Sequence, residues 1–113
     1  MSGGGAVLRV LVEPRPHDPD IWVAECLETG YIATGLGYSE AREGILEILR
    51  AEIAAADEAG RVFAQARVPD DLERRWEAVT REHPAQSVPL FPGERKPPGR
   101  VVSGQVAVAR SPR

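Results

Sequence analysis

Three observations predict an α+β fold: alternating β-branched runs within the first 36 residues, helical spacing of apolar side chains from residue 39 to residue 58, and proline-rich chain beyond residue 84. The expected architecture is a three- or four-stranded, mainly antiparallel sheet with one long helix packed on one face. A second short helix and a proline-rich tail follow. The divisions are a flexible leader at 1–5, a main domain at 6–60, a strand and helix at 61–83, and a largely extended or disordered tail at 84–113. With 113 residues, 42% of them apolar and 27% charged, the chain suits one domain with a modest core and no room for a large enclosed active site.

Residues 6–13 read as the first strand. Leu8, Val10 and Val12 form an apolar face, Arg9 and Glu13 mark the wetter one, and Pro14 and Pro16 stop the run. A polar loop of Pro, His and Asp leads to a second strand at 21–27 and a third at 31–37, joined by Glu28, Thr29 and Gly30. Three loop residues ending in glycine suit a hairpin whose last turn position takes positive φ. Pairing Leu27 with Tyr31 then sets Cys26 opposite Ile32, Ala24 opposite Thr34 and Trp22 opposite Leu36, and these six are expected to share the core face.

Ser39 is the expected cap of the long helix, with Glu40 and Glu43 near its positive end. Ala41, Ile45, Leu46, Ile48, Leu49, Ile53 and Ala56 fall on one broad stripe, which Glu52 interrupts, and Gly60 is the expected stop. Val62 to Val68 is a short strand candidate. Pro69, Asp70 and Asp71 open the second helix, whose apolar seam is Leu72, Trp76 and Val79. Six of the thirty residues from Pro84 onward are proline, and only residues 101–109 retain strand character.

The net charge of −3 does not advertise nucleic-acid binding, but it hides an asymmetry. Residues 1–60 carry four basic and eleven acidic side chains, whereas residues 61–113 carry ten and six. Opposite halves suit different partners, or one half folding onto the other. A lone cysteine, Cys26, excludes an intramolecular disulfide and a cysteine-built zinc site, and a reducing, cytoplasmic setting is expected. The first residues lack a basic region and Arg9 breaks the apolar run, so neither a signal peptide nor a membrane span is expected.

No catalytic pattern emerges. His17 and His83 have no neighbour at ligand spacing and read as solvated. Cys26 falls on the expected core face, where a thiol is inert. Asp18, Asp20, Glu25 and Glu28 gather near one end of the expected hairpin and suit a divalent cation or, as the commoner reading, plain solvation. Gly35 and Gly37 lack the third glycine and the lysine of a phosphate loop. No catalytic residue, cofactor or metal is therefore expected. One helix covers one face of such a sheet, so the other face calls for a second copy, a different protein, or the chain's own C-terminal helix and tail.

The stretch from Ile21 to Gly35, with Trp22, the Glu28-Thr29-Gly30 turn and Tyr31, followed by the stretch from Tyr38 to Leu49, resembles the HicB family of type II antitoxins. The resemblance covers about residues 6–58. It implies a partial RNase H fold without nuclease activity, a ββαβ-type sheet that binds and blocks a small HicA-like ribonuclease toxin. It also implies a homodimer or higher oligomer and, often, a C-terminal segment that binds the protein's own operator DNA. Ser39 followed by Glu40, Ala41 and Arg42 departs from the family's usual helix start.

Residues 62–76 are similar to the strand and first helix of a ribbon-helix-helix repressor, with Gln65 and Arg67 at the base-reading positions. That fold's second helix has no counterpart in the proline-rich tail. On the antitoxin reading Asp18, Asp20, Glu25, Glu28 and Tyr31 form the partner interface, the acids speeding encounter with a basic toxin. Trp22 reads as core or as an aromatic anchor. The alternative is a DNA-binding autoregulator using residues 62–82. A vestigial RNase H-like enzyme ranks last, because no trio of acids occupies strand positions suited to two metals.

Overall fold

A computed structural model describes residues 7–61, 63, 67–90 and 103–109. The strands are β1 (Val7–Pro14), β2 (Ile21–Cys26), β3 (Ile32–Leu36), β4 (Gln86–Pro89) and β5 (Ser103–Val108), and the helices are α1 (Tyr38–Glu58) and α2 (Asp70–Glu82). The sheet has five strands in the order β3-β2-β1-β5-β4. Neighbours run antiparallel except β1 and β5, which are parallel, so the sheet is mixed and larger than the three or four strands expected. The residues expected to form a loose tail supply β4 and β5, and β5 takes a place beside β1. Residues 1–5 lie outside those described, as do 91–102 and 110–113.

Alternation along β1 explains the two faces. Leu8, Val10 and Val12 point to one side and meet Ala24, Cys26 and Val106 beneath the α1 stripe of Ala41, Ile45, Leu46, Leu49 and Ile53. Leu11 points to the other side. There, with Leu27 and Ala107, it receives Leu72 and Trp76 of α2. The molecule is thus layered helix, sheet, helix, with a larger core under α1 and a smaller one under α2.

The β2–β3 register differs by one residue from the expected one. Glu25 pairs with Ile32, Ala24 with Ala33, Val23 with Thr34 and Trp22 with Gly35. Leu27 leaves the hairpin ladder: its N–H donates to the Arg9 carbonyl at 2.8 Å and its side chain is buried in the α2 core. The turn therefore spans four residues, 27–30, closed by Gly30 N–H to the Cys26 carbonyl at 2.9 Å, with Gly30 at a φ of 80°. A slip of one position reverses which face each β3 side chain occupies. Ala33 and Gly35 lie under α1, while Ile32, Thr34 and Leu36 face away from it.

Small residues permit the close approach. A Cβ on Gly35 would stand 2.7 Å from the Ala41 nitrogen, and one on Gly44 would stand 3.3 Å from the Ala33 Cβ. The bulky side chains expected there have no space.

Helix α1 starts one residue before the expected cap. Gly37 is the N-cap, and Ser39 makes no capping hydrogen bond. Glu40 Oε1 instead accepts from the Leu36 N–H at 2.6 Å, satisfying a donor just outside the helix. Gly60 ends α1 as expected: its N–H meets the Asp57 carbonyl and the Arg61 N–H the Ala56 carbonyl, a Schellman closure. Of the expected strand at 62–68, residues 62 and 64–66 lie outside those described, and Phe63, Arg67 and Val68 belong to no strand. Pro69 caps α2, whose first turn carries Asp70, Asp71 and Glu73 and whose last turn carries Arg81, matching the helix dipole.

Candidate interaction surface

Two polar or exposed features stand out, and they differ in kind. The first lies between the sheet and α2. Glu28, only 8% exposed, accepts from the Arg9 main-chain N–H at 2.7 Å and from Arg9 Nε at 2.6 Å. Glu73 accepts from the two terminal guanidinium nitrogens at 2.6 and 2.9 Å, and the guanidinium carbon lies 5.7 Å from the Trp76 ring centroid.

Hydrogen bonding to Glu73 leads the factors that raise the Arg9 pKa, and the same bond lowers that of Glu73. Arg75 repeats the pattern with reversed polarity, donating to Glu13 on β1 at 2.8 Å. All three guanidinium nitrogens of Arg9 donate to carboxylates and the group lies over Trp76, so this cluster is a fastening. The sequence carried one signal for it, a cation set between Leu8 and Val10 in mid-strand.

The second feature is the β3 flank. Because Cys26 and Tyr31 exchange a hydrogen bond at 3.0 Å, the inward-bonded pairs that follow are Ala24–Ala33 and Trp22–Gly35. The main-chain groups of Ile32 and Thr34 consequently point off the outer edge of β3, which has no strand partner among the described residues, while the Leu36 N–H is held by Glu40. On the face away from α1, Ile32 is 53% exposed and Leu36 71%, beside half-buried Val23. Helix α2 covers the β1–β5 part of that face through Leu11 and Ala107 and leaves this part open. Tyr38, 50% exposed, extends the patch around the strand end and meets Trp22 with ring centroids 6.0 Å apart.

The chain around the patch is acidic, and a cation that reaches Glu25 is Arg75 of α2. Residues 21–41 contain no Lys, Arg or His. Glu25 lies opposite Ile32 in the ladder, and Glu40 touches the Leu36 main chain. Desolvation and the neighbouring Glu52 carboxylate push the Tyr31 phenol upward.

The four acids and one aromatic expected at the partner interface are not brought together. Asp18 and Asp20 are exposed in the β1–β2 loop, at the opposite end of β2 from Glu28 and Tyr31. Glu28 is spent on Arg9, so it belongs to the interior. Glu25 lies opposite Ile32 beside the exposed patch, whereas the Tyr31 phenol neighbours Glu52 of α1, on the other face. Ile32 and Leu36, expected on the core face, are instead the exposed aliphatic members of the patch. Trp22 is half-buried at the margin of the α1 core. Cys26 is buried, and desolvation raises its thiol pKa.

Arg67 is exposed just before α2, and Gln65 lies outside the described residues. Leu72 and Trp76 are buried against this chain's own sheet, which takes up the seam that a ribbon-helix-helix dimer would use for its shared core. Among the described residues no group of three or more His, Cys, Asp or Glu is placed to hold a metal ion, and no helix is long and apolar enough to cross a membrane. No protein-family model matches the chain, and neither does any curated protein or solved structure.

Proposed function

We propose that the chain is a HicB-like antitoxin or antitoxin-derived interaction module that binds and blocks a small, basic ribonuclease toxin. One observation carries the reading: the β2–β3 part of the sheet presents Ile32 and Leu36 uncovered, in a stretch of chain without a single cation. Exposed aliphatic side chains grouped on a sheet face mark a protein contact, and the surrounding carboxylates favour a positively charged partner. A strand that follows α1 and lies parallel to β1 is compatible with the ββαβ-type sheet that the resemblance implies.

Inhibition on this reading is occlusion. The module occupies the surface with which the toxin grips RNA, and no chemical step is assigned to the module itself. The test is co-expression with the product of the adjacent reading frame, expected to be a short basic protein, followed by an RNA-cleavage assay. Co-purification and loss of cleavage are expected, with both effects abolished by the pair Ile32→Lys and Leu36→Lys. Full inhibition by that variant removes the reading.

A further inference from the structure

We infer that the open edge of β3 receives an extended, Lys- or Arg-bearing segment of the protein partner, which adds to the sheet as a further strand. This deepens the docking reading above and rests on it. The two sheet edges are built differently. At the far edge, β4 is four residues long and ends in Pro89, a common guard against unwanted pairing. Strand β3 runs Ile32-Ala33-Thr34-Gly35-Leu36, with no proline, no charge and no bulge, and it presents the main-chain groups of Ile32 and Thr34 outward. Such an edge is a template for strand addition.

Charge selects the occupant. Glu25, Glu40 and Glu52 bracket the strand; the segment from 21 to 41 supplies no cation, and Arg75 of α2, which interacts with Glu25, is itself paired with Glu13. A second copy would bring two such acid-lined edges together. Pairing along a five-residue edge, about 17 Å long, is too short to hold a partner unaided and needs further contact area beside it. A basic strand meets both conditions, because the body of its parent protein covers Ile32 and Leu36 while its main chain completes the ladder.

The test uses the isotopically labelled full chain and a blocked heptapeptide of alternating lysine and valine. Amide exchange at Ile32 and Thr34 is expected to slow about tenfold on titration. The same peptide N-methylated along its backbone, and a version with glutamate in place of lysine, should leave both amides unchanged. Thr34→Pro removes an outward donor without touching the bonds to β2 and should abolish protection at Ile32, whereas Thr34→Val should retain it.

Equal protection by the N-methylated peptide, or none by the parent peptide, overturns the inference. So does protection already present in a peptide-free dimer, which would name a second copy as the occupant. If the basic toxin still binds through Ile32 and Leu36 while the peptide fails, strand addition falls and the docking reading stands. If the peptide adds but no toxin binds, the reverse holds.

Discussion

The Glu28 carboxylate holds Arg9 twice, accepting from its main-chain N–H at 2.7 Å and from its side-chain Nε at 2.6 Å. One residue of the hairpin turn thereby fixes both the backbone of β1 and the guanidinium that reaches across to Glu73 of α2. Replacing Arg9 with Leu strands a nearly buried carboxylate. Urea unfolding of that variant is expected to give a loss of roughly 2–3 kcal/mol, against about 0.5 kcal/mol or less for Arg75→Leu, whose pairing with Glu13 is more exposed.

The Arg9–Glu73 pair also predicts a pH dependence. Arg9 depresses the Glu73 pKa in the folded state. The contribution is therefore fully present above the unfolded carboxylate value of about 4.3, and it fades as pH falls through the lower folded value. Denaturation midpoints of the native chain and Glu73→Gln should differ at pH 7 and converge on acidification. A constant gap across that range would show that Arg9 does not tune Glu73.

Gly35 is expected to tolerate no side chain. In Gly35→Ala the added methyl meets the Ala41 nitrogen and the Glu40 Cβ at 2.7 Å, so the start of α1 must lift. A loss of about 1–3 kcal/mol in chemical denaturation is expected.

Lysine at positions 32 and 36 carries the opposite expectation. Both side chains are largely exposed, so the double variant should unfold within about 0.5 kcal/mol of the native chain per site, leaving any loss of partner binding attributable to the surface.

Cys26 is buried under α1 with its thiol pKa raised by desolvation. Alkylation by iodoacetamide at pH 8 should run about a hundredfold or more slower in the folded chain than in urea.

What the sequence made legible was local. The β1 face of Leu8, Val10 and Val12 and the α1 stripe from Ala41 to Ile53 repeat at spacings that depend only on neighbouring residues, and both are buried together. Residue 27 was misplaced because its partners, Leu72 and Trp76, lie far along the chain, and their burial pulls Leu27 out of the hairpin. That displacement turned Ile32 and Leu36 outward. A reading that sends large aliphatic residues inward is misled where a helix presses on a strand, although Ala33, Gly35 and Gly44, all small, carried the hint.

Of the expected interface, Glu25 sits beside the exposed patch and Tyr31 on the α1 side, while Glu28 is internal because Arg9 needed a counter-charge that spacing does not reveal. Strand β5 was legible as a strand. Its place beside β1 was not, since no local pattern encodes a parallel partner from the other end of the chain.

That partnership sets a schedule for biosynthesis. Strand β1 leaves the ribosome well before β5, yet its register mates Val7 with Ser103 and Val12 with Val108. The middle of the sheet thus waits, lacking a neighbour on one side, until β5 has been made. A contact so distant in sequence should slow folding. A nascent molecule halted before β5 would leave the ribosome with an unmatched hydrogen-bonding row, a substrate for quality-control proteases.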